Sequence, residues 1–231
     1  MSAKISPVSF NLFPDPDKAD PDGLLAIGGN LSVNILINAY SQGIFPWYSK
    51  EMPVLWWCPD PRLVLFPEKL KISKSLRHTI KQKKFLVRID YNFEKVIEYC
   101  ASSKRKGQEG TWITKEMKDA YIQLYKEGYA HSFETYYNDK LVGGLYGVSL
   151  GRTFFGESMF YKMTDASKVA LYYLVEHIKK WGFHFIDAQQ STQHMKMLGA
   201  EEISRKEFLR ILRISLKEST IRGRWEKYKN Q

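Results

Sequence analysis

The sequence predicts an α+β protein in two parts, a small N-terminal α/β unit over residues 1–62 and a larger, regular domain over residues 63–231. Three observations predict it. The N-terminal stretch is dense in turn formers and aromatics, in Phe13-Pro-Asp-Pro, Asp20-Pro-Asp-Gly, Gly28-Gly29, Phe45-Pro-Trp-Tyr and Trp56-Trp-Cys-Pro-Asp-Pro-Arg62. Beyond it, strand and helix periodicities follow one another without internal repeats or low-complexity runs. The composition is that of a globular chain: 44% hydrophobic and 26% charged over 231 residues, enough for a sizeable core and too apolar for disorder.

The elements follow in order. In the N-terminal unit Ser32 is placed to cap a short helix that runs through Tyr40 and stops near Gly43. The segments around it can fold only by packing their aromatics on each other or on a larger neighbour, and Trp56 and Trp57 read as such packing. Residues 85–90 read as a strand and 91–101 as a helix. Residues 114–127 have helical spacing, with Gly128 where a C-terminal cap belongs. Residues 130–137 and 141–149 alternate on either side of a tight turn at Asn138-Asp139, and 152–160 form a third strand interrupted by Gly156. Thr164 or Asp165 caps a long helix over 166–181 that ends at Gly182. A strand over 183–189, a helical turn or two over 193–198 and a last helix over 208–216 complete the chain.

Strand, strand, strand, helix, strand, helix is the order of the acetyltransferase-like (GNAT) fold. Acyl-CoA users of that fold place a Gly-rich turn at the start of the helix after the central strands, so that backbone N–H groups hold the pyrophosphate. Here that junction reads Tyr161-Lys-Met-Thr-Asp-Ala-Ser-Lys168, with no glycine and an acid at the helix entrance. Coenzyme A is disfavoured, and no cofactor is expected.

No apolar run approaches the roughly 20 residues that cross a bilayer, and Met1-Ser-Ala-Lys-Ile-Ser-Pro lacks the pattern of a signal peptide. A soluble, cytoplasmic monomer is expected. Cys58 and Cys100 are far apart and isolated, which argues against a disulfide framework or a Cys-based zinc site. The net charge of +10 and pI near 9.4 suggest a polyanionic partner. Residues 69–88 hold eight Lys/Arg and no acid, and Lys74, Arg77, Lys81 and Lys84 recur every three or four positions. A helix would align these four into one stripe. Solvated helix faces usually mix both signs, so phosphate contact is favoured there. The second basic stretch, 205–229, is interleaved with acids and apolar residues and reads as a C-terminal helix packed on the body.

Three sets of residues point to chemistry. On a strand, Asp187 and Gln189 project to one face, while Ile186 and Ala188 project to the other. They mark either a polar edge strand or, on an inner strand, groups that need partners or a substrate. Glu157 follows Gly156 in an apolar, aromatic strand; a glycine there signals a bulge or the close approach of a backbone or ligand. That Glu is either ion-paired or faces a pocket. Trp47 and Trp112 sit in loops, as core plugs or as platforms for a base. The five histidines include no His-Glu-x-x-His pair, His184 points away from Asp187, and no metal is expected. There is no phosphate-binding loop, dinucleotide fingerprint or nucleophile elbow, and Gly143-Gly144 belongs to a strand pair.

Seven blocks lie in a fixed order from about residue 13 to residue 212: Gly23-Leu-Leu-Ala-Ile-Gly-Gly-Asn-Leu-Ser32, Gly43-Ile-Phe-Pro-Trp-Tyr48, Trp56-Trp-Cys-Pro-Asp-Pro-Arg62, Glu109-Gly-Thr-Trp-Ile-Thr114, Leu141-Val-Gly-Gly-Leu-Tyr-Gly147, Gly156-Glu-Ser-Met-Phe160 and Ile186-Asp-Ala-Gln189. Together they resemble the leucyl/phenylalanyl-tRNA–protein transferases. The resemblance implies a small N-terminal domain, a GNAT-like catalytic domain that uses no coenzyme A, and transfer of Leu, also Phe, from aminoacyl-tRNA to proteins beginning with Arg or Lys, marking them for degradation by the N-end rule. It implies that Asp187 and Gln189 are the catalytic pair, with Glu157 close to the reacting centre. Trp47 and Trp112 would contact the terminal adenosine, and Phe154 and Met159 would wall the pocket for the transferred side chain. Tyr40, Tyr121, Gly156 and Ser158 are further substrate-binding positions by the same resemblance. Lys74, Arg77, Lys81, Lys83 and Lys84 match a basic patch for the acceptor stem.

These residues suit such a reaction through positioning. Gln189 cannot be a base, so Asp187 would fix Gln189 and Gln189 would orient the attacking amine, while Glu157 would attract the cationic N-terminus. A backbone N–H near Gly156 would stabilise the oxyanion. Two rivals compete. Another GNAT-like transferase is disfavoured by the missing pyrophosphate loop and the lack of a duplicated half. A non-catalytic RNA-binding module would bind tRNA whether or not it is aminoacylated and would give Asp187 no role.

Overall fold

The computed structural model describes residues 12–103 and 113–228. Its first elements are β1 (Leu24–Ile27), α1 (Val33–Ser41), β2 (Phe45–Pro46) and β3 (Leu55–Trp57). The three strands form a small antiparallel sheet in the order β1-β3-β2. Ser32 stands at the N-cap of α1, but its side chain caps no helix N–H. Trp56 is buried and donates its indole N–H to Gly28 O at 2.9 Å; Trp57 donates to Trp47 O at 2.7 Å. Both therefore serve packing.

β4 (Arg62–Leu65), α2 (Lys74–Lys81), β5 (Leu86–Ile89), α3 (Phe93–Ser102) and α4 (Lys115–Lys126) follow. Then come β6 (Ala130–Tyr137), β7 (Lys140–Leu150), β8 (Thr153–Tyr161), α5 (Ala166–Lys180), β9 (Phe185–Gln189), α6 (Gln193–Met197), β10 (Glu201–Ile203) and α7 (Arg205–Ser215). The seven strands β10-β4-β9-β8-β7-β6-β5 form one sheet, antiparallel except between β8 and β9. That parallel pair is joined by α5, as a crossover requires.

Alternation along the strands sends side chains to two cores. Tyr146 and Val148 of β7, Phe155 of β8 and Phe185 of β9 join residues of α1, α3, α4 and α7 on one face. Leu145, Phe154 and Ile186 join α5 on the other. Both faces are covered, so the central strands are buried along most of their length. Gly143 is required by this packing, since a Cβ there would lie 2.5 Å from Ala166 Cβ. α7 is the amphipathic C-terminal helix that the sequence suggests, burying Phe208, Leu209 and Leu212, though it begins at Arg205 under a Ser204 cap. Cys58 and Cys100 are buried free thiols. Among the described residues, no helix is long and apolar enough to cross a membrane.

Candidate active site

β8 and β9 pair only from Thr153↔Phe185 to Phe155↔Asp187, although β8 continues to Tyr161. Beyond that point the two strands stop pairing. A cavity of about 600 Å³ opens there, lined from both faces of the sheet. Phe154, Met159, Leu171, Leu174, Ile186 and Met195 supply an apolar side; Glu157, Gln189, Tyr146, Phe45 and Trp47 supply the other. A cavity that draws on both faces of one sheet passes through the gap between its strands.

The glycine of β8 marks a bulge. Gly147 pairs with Gly156 and Tyr146 with Ser158, which leaves Glu157 as the extra residue. The bulge shifts the alternation by one. Phe155, Glu157 and Phe160 therefore share a face, as do Phe154 and Met159, which unbroken parity would separate.

Glu157 is buried and hydrogen-bonded on both oxygens. Tyr40 from α1 donates to Oε1 at 2.7 Å, Tyr121 from α4 donates to Oε2 at 2.9 Å, and Gln189 Nε2 reaches Oε1 at 3.0 Å. The two phenol hydroxyls also touch each other. Burial pushes the Glu157 carboxyl up to about 7, against the bonds from Tyr40 and Tyr121 and with the charge of Asp187. Burial, then the charge of Glu157, raises both phenols well above their ordinary value. Glu157 thus titrates near neutrality beside two phenols that keep their protons.

Gln189 adopts the left-handed region at φ 61°, unusual for a residue with a side chain. Its backbone N–H is fixed by Asp187 Oδ1 at 2.8 Å, which turns its amide toward Glu157. Asp187 in turn grips Arg62, with Oδ1 taking Nε at 2.8 Å and Oδ2 taking Nη2 at 2.6 Å. Both side chains are fully buried. The guanidinium carbon lies 4.7 Å from the Phe45 ring centre and 4.4 Å from that of Phe208. Burial alone would lower the Arg62 pKa, but Asp187 outweighs it and raises it.

Seven of the residues singled out from sequence line the cavity: Trp47, Phe154, Gly156, Glu157, Ser158, Met159 and Gln189. Tyr40, Tyr121 and Asp187 do not. Tyr40 and Tyr121 are wholly buried behind Glu157, and Asp187 lies behind Gln189 with both oxygens committed. Trp112 lies outside the described residues. Arg62 is the buried charge at the site that sequence reasoning misses, as it misses the lining residues Phe45, Leu171, Leu174 and Met195, although a charge heading the apolar run Arg62-Leu-Val-Leu must find a buried acid. His194 lines the cavity as well, with burial and then Lys168 holding its pKa below the usual value.

Away from the cavity, α2 forms over Lys74–Lys81 but ends before Lys84, so three of the four spaced cations, and not all four, share its helix. Lys74, Arg77 and Lys81 are exposed on it, and Lys83 and Lys84 are exposed just beyond. Among the described residues none of the five has an ion-pair partner, whereas nearby Lys69 binds Glu201 at 2.7 Å. Five exposed cations without acids present a field suited to phosphates.

The chain has close relatives of known family. The family model for leucyl/phenylalanyl-tRNA protein transferase matches residues 64–213, and the model for that family's N-terminal domain matches residues 29–60. A leucyl/phenylalanyl-tRNA–protein transferase of an Anaeromyxobacter species is 54% identical over 214 residues, covering 93% of this chain and 91% of that protein. One of Legionella pneumophila is 54% identical over 213 residues, covering 92% of this chain and 95% of that protein. Among solved structures, L-PGS from Bacillus licheniformis matches distantly, with a TM-score of 0.37, 10% identity and coverage of 70% of this chain and 52% of that one.

Proposed function

The chain belongs to the leucyl/phenylalanyl-tRNA protein transferase family, and on that premise we propose that it moves Leu, and also Phe, from aminoacyl-tRNA to the N-terminal Arg or Lys of acceptor proteins in an N-end rule pathway. The observation that carries this reading is the cavity between β8 and β9, apolar on one side and bounded by Glu157 and Gln189 on the other. A Leu or Phe side chain fills the apolar side between Phe154, Met159, Leu171 and Ile186. Its ester carbonyl then lies toward Glu157 and Gln189, and the terminal adenosine rests on Trp47.

The donor ester is already activated, so no ATP is needed. The acceptor α-amine has a pKa of about 7.7–8.0, so an appreciable fraction is neutral at pH 7. Orientation of the amine against the ester is then one large part of catalysis. Gln189, locked in its left-handed backbone by Asp187, holds the amine, and Asp187 with Arg62 acts as its positioning pair. The five cations on and after α2 hold the acceptor stem through its phosphates.

The fold reading is of a piece with this. The three-stranded sheet supports an N-terminal unit over residues 1–62, and the β6-β7-β8 meander with its α5 crossover to β9 supports a GNAT-like catalytic domain over 63–231. The enzyme acts as a cytoplasmic monomer without a cofactor.

The test is a transfer assay with tRNA charged with labelled Leu or Phe and no ATP or coenzyme A. Label should enter a peptide beginning with Arg or Lys, and not one beginning with Asp or acetyl-Arg. Equal binding of charged and uncharged tRNA without transfer would instead favour an RNA-binding module.

A further inference from the structure

The hydrogens around Glu157 do not suffice for the contacts made there. Four polar contacts meet: Tyr40 with Glu157 Oε1, Tyr121 with Glu157 Oε2, Tyr40 with Tyr121, and Gln189 Nε2 with Glu157 Oε1. Gln189 supplies its own hydrogen. The other three contacts close a ring of three groups, and the two phenols carry one hydrogen each.

With Glu157 ionised, both phenol hydrogens are committed to the carboxylate. The Tyr40–Tyr121 contact is then two oxygens facing each other through lone pairs, at full burial. That arrangement is repulsive and has no solvent to relieve it. A third hydrogen on Glu157 removes the defect. Glu157 Oε2–H donates to Tyr121, Tyr121 donates to Tyr40, and Tyr40 donates to Glu157 Oε1, which still accepts from Gln189.

We propose that Glu157 carries this third proton in the resting enzyme, and that Glu157, Tyr40 and Tyr121 form a proton-exchange unit for aminoacyl transfer. The step rests on the transferase reading above and balances as follows. The neutral α-amine attacks the ester carbon, and a C–N bond forms. As the C–O bond to the ribose breaks, its electron pair stays on the ribose oxygen, which takes the proton from Glu157. The proton released by the attacking nitrogen returns to Glu157. One hydrogen has moved from nitrogen to oxygen, and the ring is restored. Because each ring member both donates and accepts, the returning proton can enter at the oxygen nearest the nitrogen and shift one contact along.

The surroundings suit both charge states. Tyr40 of α1, Tyr121 of α4 and Gln189 of β9 face Glu157 as neutral groups, and the Tyr146 ring of β7 packs on that of Tyr121. The charge of Asp187 on β9 acts on Glu157 and is matched by Arg62 on β4. Glu157 also titrates at about 7, so neither form is remote at physiological pH.

Glu157→Gln is the decisive variant. Its Nε2 can donate to Tyr121 and its Oε1 can accept from Tyr40 and Gln189, so every contact survives while the exchangeable acid proton is gone. The expected result in the transfer assay is an unchanged KM for charged tRNA and a kcat lower by about 10²–10⁴-fold, the usual worth of general acid–base catalysis. An infrared difference spectrum between the wild type and Glu157→Gln at pH 6 should show the carbonyl stretch of a protonated carboxylic acid, fading as pH rises through about 7. Lack of that band at pH 6 would overturn the protonated ring. Undiminished kcat in Glu157→Gln would overturn the exchange role. A wild type that transfers nothing would remove the transferase reading and the exchange role together, while the infrared band would still decide the protonation of the ring.

Discussion

Asp187 and Arg62 form a fully buried, two-bond ion pair, and the same Asp187 oxygen that takes Arg62 Nε also takes the backbone N–H of Gln189. Stability and site geometry are therefore tied to one carboxylate. Removing one partner strands the other's charge at full burial, a loss of about 3–5 kcal/mol. Asp187→Ala and Arg62→Met should each lower stability on that scale in urea denaturation, with Asp187→Ala also abolishing transfer. The double variant Arg62→Met/Asp187→Ala should lose much less than the sum of the two, since no uncompensated charge remains. Additive losses would mean that the pair is not the dominant interaction at either residue.

Two glycines of the central hairpin should respond oppositely to alanine. At Gly147 a Cβ would lie 2.2 Å from Phe155 O and 2.5 Å from the Phe154 ring, and neither can yield without opening the β7–β8 ladder. Gly147→Ala should therefore fail to give soluble folded protein. At Gly156 the nearest atoms to an added Cβ are Asp187 O at 3.5 Å and Ile186 Cγ2 at 3.7 Å, ordinary contacts. Gly156→Ala should keep its melting temperature, but its methyl sits between β8 and β9 at the cavity wall. Its KM for leucyl-tRNA should rise, and an unchanged KM would put the transferred side chain elsewhere.

The exposed cations of α2 and the loop after it should govern tRNA affinity through salt. Removing a cation that binds one phosphate reduces the slope of log K against log salt by about 1 and weakens all tRNAs alike. Replacing Lys74, Arg77, Lys81 and Lys84 by Ala in turn should flatten that slope stepwise. Lys69, already paired with Glu201, should have little effect. A full slope in the fourfold variant would place the acceptor stem on another surface.

The parts of the fold legible in the sequence are those set by local periodicity. The β6–β7 hairpin announces itself by alternation around Asn138-Asp139, whose two residues indeed have positive φ. α5 is visible from its spacing and its stop at Gly182. At Gly156 the sequence signals a bulge or a close approach, and the structure shows the bulge, with Gly156 also on the cavity wall. What the sequence hid is non-local. β2 and β3 are two and three residues long, and β4 and β10 join the large sheet by pairing with strands distant in sequence. Nothing within four residues of Arg62 shows that its partner is Asp187. The same holds for Tyr40 and Tyr121, which reach one carboxylate from two helices joined by no short loop. Period-based reading locates each side chain's face and leaves its partner open.

Glu157 should leave its mark on stability as a function of pH. Its folded carboxyl is pushed by burial from an ordinary 4.5 up to about 7, so the folded chain binds this proton more tightly than the unfolded chain. Stability rises with pH only where the unfolded state holds more protons. Here the folded state holds more, so the sign is reversed. The contribution is fully present below the unfolded value and is lost as pH rises through the window from 4.5 to about 7. Over that window the loss amounts to roughly 3 kcal/mol from this group, at 1.36 kcal/mol per pH unit. Glu157→Gln has no such proton, so its unfolding free energy should fall less steeply between pH 5 and 7, with the two proteins diverging most above pH 7. Parallel pH profiles for the two proteins in urea titrations would mean that Glu157 is ionised across the whole range.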